Sequence, residues 1–205
     1  MIRVKMCGIT RVEDARAAAG CGAASIGLVF APSPRQVSPD QAREIIRAIP
    51  SGTVCTVGVF MGETAEEIQR IVDHAGVDSV QLHDEIVPPG LVPRTPSSLI
   101  RCLRVRPSDT RASLAGRLNA DPQAVWLLDS GAGSGRAFDW SIASDLGLEF
   151  PGNLILAGGL TPENVGDAIR IVQPAGVDVS TGIERSPGRK DPARMQAFMD
   201  AVGGA

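Results

Sequence analysis

Short apolar runs alternate along the chain with polar stretches that carry helix-start signals. "IRVKMC", "SIGLVF", "TVCTVGVF", "DSVQLH", "SLIRCLRV", "AVWLLD", "NLILA" and "GVDVS" are rich in β-branched and apolar residues and read as strands. The segments between them have the longer period of helices. Thr10 with Glu13, Ser38 with Gln41 and Thr64 with Glu67 are spaced as reciprocal caps, in which each side chain satisfies the other residue's backbone N–H. Pro39 stands at a first helical position, and Thr161 and Pro162 start a later helix. "SDTRASLAGRLNA", "DWSIASDLGL" and "DPARMQAFMDAV" read as further helices. After the fourth strand, "DEIVPPGLVPRTP" holds four prolines, so at most a short helix fits there. "SGAGSGRAF" and "TGIERSPGRK" read as loops.

Eight strand–helix units in 205 residues leave roughly 26 residues each, near the lower limit for a closed barrel. The expected fold is α/β: a single (β/α)8 TIM barrel with a parallel eight-stranded core, one domain over residues 1–205. An open doubly wound sheet, which usually has fewer strands, is the alternative.

Side chains alternate faces along a strand. In the first strand Ile2, Val4 and Met6 face the helices, so Lys5 and Cys7 point into the barrel, with Cys7 at the C-terminal end. The same split turns Gln81, His83, Asp178 and Ser180 inward, and Asp129 ends the sixth strand in phase with Val125 and Leu127. Polar groups therefore gather at the C-terminal rim, where barrels of this kind carry their chemistry. Lys5 and Asp178 lie on neighbouring strands of a closed barrel and are expected to pair, since neither charge is tolerable buried alone. The Lys5 charge would also favour a Cys7 thiolate.

"LAGGL" and "DVSTGIE" end the seventh and eighth strands. Gly158, Gly159, Ser180, Thr181 and Gly182 can present backbone N–H groups and small hydroxyls to an anion, and this is the usual phosphate position on such barrels. Tight turns with no ligand would use the same residues.

Composition narrows the partners. The chain is 43% hydrophobic and 21% charged, with formal net charge -3 and no cluster of Lys and Arg. Nucleic acid and anionic membrane are poor candidates. The lack of Tyr and an aromatic share of 3% argue against base-stacking platforms. No signal peptide and no membrane-length apolar run is read. Cys7, Cys21, Cys55 and Cys102 are scattered, which suits free thiols in a reducing cytoplasm, and the last three look like small apolar filler. His74 and His83 are the only histidines, too few for a site built on several imidazoles. No metal and no cofactor is expected.

The stretches "VKMCGIT", "GLVFAPSPRQVSP", "VGVF", "VQLH", "LLDS", "GSGRAFDW", "LAGGLTPENV", "GVDVSTGIE" and "SPGRKD" occur in the order of one family. Over residues 4 to 191 the chain resembles phosphoribosylanthranilate isomerases of tryptophan biosynthesis. The resemblance implies a (β/α)8 barrel and an Amadori rearrangement of phosphoribosylanthranilate to 1-(2-carboxyphenylamino)-1-deoxyribulose 5-phosphate. It implies Cys7 as general base, Asp129 as general acid and Arg35 as the holder of the anthranilate carboxylate. His83 would line the site, and Arg136 would help order the loop after strand six. A carboxyl kept partly protonated by burial and a thiol partly ionised by a nearby cation would suit that chemistry. The family usually has Gly where Asp84 stands. A monomer or a homodimer fits equally.

Other phosphosugar barrels remain open at this point, as does a barrel that only binds phosphate. A metal-dependent epimerase would want more histidines. A synthase-type barrel would want catalytic Lys and Glu at strand ends. The histidine-pathway isomerase would use two aspartates, and strand one here ends in Cys7.

Overall fold

A computed structural model describes residues 2–83, 86–95, 98–131 and 137–205. Strands β1 (Arg3–Met6), β2 (Ser25–Val29), β3 (Cys55–Phe60), β4 (Ser79–Leu82), β5 (Leu99–Arg104), β6 (Val125–Asp129), β7 (Leu154–Leu156) and β8 (Gly176–Val179) are parallel and close into a barrel in chain order. Closure comes where β1 pairs β8, with Lys5 opposite Asp178. Helices α1 (Val12–Gly20), α2 (Pro39–Arg47), α3 (Ala65–Ala75), α4 (Arg111–Asn119), α5 (Leu146–Glu149), α6 (Val165–Val172) and α7 (Pro192–Gly203) follow strands one, two, three, five, six, seven and eight.

A parallel sheet of this kind is buried on both faces, so it makes two cores. The larger lies between strands and helices and includes Val4, Met6, Ile26, Leu28, Phe60, Leu82, Leu128, Leu156 and Val177. The smaller fills the barrel with Val57, Ile100, Cys102, Leu127 and Ala157. The strand alternation read from the sequence separates these two sets.

Ser38 and Thr64 cap α2 and α3 reciprocally with Gln41 and Glu67, as their spacing predicts. Thr10 does not cap α1. That helix begins at Val12 after Arg11 and has no side-chain cap, because the Thr10 hydroxyl donates to the Gly188 carbonyl at 2.5 Å. Nor do Thr161 and Pro162 start α6. Thr161 N–H donates to the Asn164 side chain at 2.8 Å, and this turn delays the helix to Val165. "DWSIASDLGL" splits into a 3-10 turn, Trp140–Ala143, and the single turn α5. Asp145 causes the break: its φ is 56°, and its N–H is drawn to the Ile171 carbonyl.

"TGIERSPGRK" is more ordered than a loop. It forms a 3-10 turn, Thr181–Ile183, and a hairpin of β9 (Glu184–Ser186) with β10 (Arg189–Lys190). Between β4 and β5 no α-helix occurs among the described residues. Residues 86–95 form a strap turned at Pro88, whose carbonyl accepts from Leu91 N–H. Val87 and Leu91 pack on the core while Ile86 and Val92 stay exposed. Asp84 lies outside the described residues. Cys55 corrects another expectation: it is exposed at the start of β3, with Sγ 3.7 Å from the Ser79 hydroxyl, and does not fill the core.

Candidate active site

The C-terminal rim surrounds a cavity of about 440 Å³. Cys7, after β1, and Asp129, at the end of β6, both line it, together with Arg35, His83, Gly158, Gly159, Asp178, Ser180 and Thr181. Gly182 is not among the lining residues. It packs behind the wall, where a Cβ would fall 2.0 Å from the Leu160 carbonyl oxygen. Arg136 lies outside the described residues.

Strand phase explains the convergence. Lys5 and Asp178 face inward on paired strands and meet at 2.8 Å. Burial disfavours the Lys5 ammonium, but Asp178 and Cys7 more than offset it and hold its pKa above the ordinary value. Cys7 is equally buried. Burial pushes its thiol up, and the pull of Lys5 in the other direction is the smaller effect. The thiolate favoured by a neighbouring cation is therefore a minor form in the substrate-free protein. Burial also raises the Asp129 carboxyl, with His83 and the backbone N–H groups of Gly131 and Ser130 pulling against it.

The loop after β7 turns on Gly158 and Gly159, both with positive φ. A Cβ on Gly158 would also meet the Ser130 hydroxyl at 2.4 Å, so glycine is required there twice over. Asn164 holds the loop by donating to the Gly159 carbonyl. Across from it, Ser180 is held by Lys190, whose ammonium donates to the Ser180 carbonyl at 3.1 Å.

Sequence reasoning missed Glu184 and Lys190. Glu184 accepts two bonds from Arg35, Nε at 2.8 Å and Nη2 at 2.7 Å, and a third from Lys190 Nζ at 3.0 Å. Burial alone would raise the Glu184 carboxyl, but these two cations hold it below its ordinary value. Arg35 thus already grips one carboxylate of its own chain. A guanidinium has five N–H donors, so the outer Nη1–Nη2 edge still suits a second carboxylate. Both missed residues sit in a stretch punctuated by Gly and Pro, where charges look solvated. The only available signal was the spacing that returns Lys190 to the start of the hairpin.

Against this geometry, residues 4–201 match the family described as N-(5'phosphoribosyl)anthranilate (PRA) isomerase. The chain belongs to the phosphoribosylanthranilate isomerase family. An N-(5'-phosphoribosyl)anthranilate isomerase of Pseudomonas aeruginosa strain LESB58 is 48% identical over 210 residues, covering 98% of this chain and 95% of that one. One from Pelobacter propionicus is 41% identical over 97% of this chain and 94% of its own length. The crystal structure of phosphoribosyl anthranilate isomerase from Thermotoga maritima superposes with a TM-score of 0.87 at 37% identity, with full coverage of both chains. A phosphoribosyl anthranilate isomerase solved with reduced 1-(o-carboxyphenylamino)-1-deoxyribulose 5-phosphate gives 0.82 at 36% identity, again with full coverage of both. A further Thermotoga maritima structure is described as monomers generated from a dimeric isomerase.

The reaction of the chain is the isomerisation of N-(5'-phosphoribosyl)anthranilate in tryptophan biosynthesis. Among the described residues no helix is long and apolar enough to cross a membrane.

Proposed function

We propose that Asp129 is the general acid and Cys7 the general base of this rearrangement. Asp129 gives its proton to the furanose ring oxygen, the bond from that oxygen to the sugar C1 breaks, and the anthranilate nitrogen becomes part of a Schiff base. Cys7, as thiolate, removes the proton at C2. The resulting enolamine tautomerises to the ketone, and a proton passed through solvent from Cys7 to Asp129 resets the pair.

The carrying observation is that both groups line one cavity from the ends of β1 and β6, two strands that β7 and β8 separate in the barrel. The raised Asp129 carboxyl supports its role, since an acid must hold its proton near the working pH. Lys5 and Lys190 favour the Cys7 thiolate against burial, so the base is available as a minor form. The loops after β7 and β8 receive the phosphate, with Gly158, Gly159, Ser180 and Thr181 at the wall and Gly182 holding the loops together. Asp178 fixes Lys5. Arg35 takes the anthranilate carboxylate on its outer edge, His83 lines the sugar pocket, and one barrel domain carries the whole site.

The test is turnover followed by loss of phosphoribosylanthranilate fluorescence. Cys7→Ser and Asp129→Asn are each expected to lose about 10²–10⁴-fold in kcat, the usual size of one acid–base contribution. Each is expected still to bind the reduced product analogue. Full activity in either variant would refute its assigned role.

A further inference from the structure

Three donors of different chemistry meet beneath the cavity. His83 follows β4, Cys102 lies in β5 and Asp129 ends β6, so each comes from one of three adjacent strands. A ring nitrogen, the Cys102 sulfur and an Asp129 carboxylate oxygen all lie within 4.8 Å of one another. Cys102 stands opposite Leu127, one inward-facing layer below Asp129. The mechanism has no use for it.

We propose that His83, Cys102 and Asp129 form a binding site for a thiophilic divalent cation, Zn²⁺ above all, and that filling it stops turnover. Imidazole, thiolate and carboxylate together select Zn²⁺ or Co²⁺ over Mg²⁺ or Ca²⁺, which prefer sets made of oxygen. Three protein ligands leave a fourth tetrahedral position, here on the cavity side, for water. Bond lengths to zinc of about 2.0–2.3 Å imply ligand atoms roughly 3.3–3.8 Å apart, so the side chains close in by about 1 Å.

Gln81 gives the second observation. It is buried against the ring with its amide nitrogen 2.9 Å from His83 Nε2, while its Oε1 has no hydrogen-bond partner among the described residues. With the amide turned over, its oxygen accepts from a protonated Nε2 and Nδ1 becomes the acceptor, while the amide N–H2 takes over the partnerless position. That is the tautomer for a metal held at Nδ1, with Gln81 as the outer support of the ring. Binding sends the Cys102 proton, and any proton on Asp129, to solvent. The carboxylate then bonds the cation and has no proton to give. Loss of turnover rests on Asp129 being the acid; cation binding does not.

The protein is first treated with chelator and then titrated with Co²⁺. Near-UV thiolate-to-cobalt absorption and the visible bands of tetrahedral cobalt are expected in the native chain and in Cys7→Ser. Both are expected to be lost in Cys102→Ala and in Cys102→Val, which keeps the barrel filled. Zn²⁺ should inhibit the native chain in the low micromolar range, reversibly on adding chelator, while Mg²⁺ should not. The two Cys102 variants should keep basal activity and be at least tenfold less sensitive. Equal cobalt bands or equal inhibition in these variants, or the absence of cobalt bands in the native chain, overturns the site. Bands without inhibition keep the site and overturn Asp129 as the acid.

Discussion

The Cys7 thiol is under two opposed influences. Burial favours the neutral form, while Lys5, two residues earlier on the same inward face, favours the thiolate. Removing the lysine charge leaves burial unopposed. In Lys5→Met the midpoint of Cys7 alkylation against pH, read on its own peptide by mass spectrometry, is expected to move up by about one pH unit or more. The variant also strands Asp178, so Lys5→Met/Asp178→Asn serves as the folded partner and should show the same direction. An unmoved midpoint in both would leave Lys5 as a structural counter-ion only. Arg35 shows the same economy at residue scale. Glu184 sets its plane through Nε and Nη2, and the guanidinium reaches the cavity already oriented.

Among the elements, the loops after β7 and β8 depend on one contact without a side chain, Gly182 against the Leu160 carbonyl. In Gly182→Ala the two loops must part. The expected outcome is a KM for phosphoribosylanthranilate raised tenfold or more with the circular dichroism spectrum unchanged. Gly116→Ala, in open space on α4, is the control and should leave KM alone while adding about 0.5–1 kcal/mol of stability. An unchanged KM in Gly182→Ala would remove this contact from the binding site. Local spacing revealed the strands, the caps at Ser38 and Thr64 and the inward phase of Lys5, Cys7 and Asp178, because these are decided within a few residues. The true partner of Thr10, the left-handed Asp145 and the Glu184–Lys190 hairpin were not legible. Each is decided by an atom far along the chain: Gly188 for Thr10, Ile171 for Asp145 and Arg35 for Glu184.

At the scale of the whole molecule, the Arg35–Glu184–Lys190 cluster ties the hairpin after the last strand to the loop after the second. Burial works against the Glu184 carboxylate, but the two cations hold its pKa below the ordinary 4.5. The sign follows: its contribution is fully present above the unfolded value and is lost as pH falls through the folded one. Glu184→Gln also leaves the buried Lys190 without its counter-charge. Urea denaturation near pH 7 is expected to show Glu184→Gln about 3–5 kcal/mol less stable, the usual size for breaking a buried pair. That gap should be flat at neutral pH and should shrink progressively as pH drops below about 4.5. A gap that stays constant into strong acid would rule out the ionised carboxylate as its source.

The strap of residues 86–95 crosses from β4 to β5 with no α-helix among its described residues, and it divides the barrel into two halves of four strands. Cys7 belongs to the first half and Asp129 to the second. A polypeptide severed at the strap would put base and acid on separate fragments, each inert by itself. Catalysis would then exist only where two fragments had rejoined into one ring.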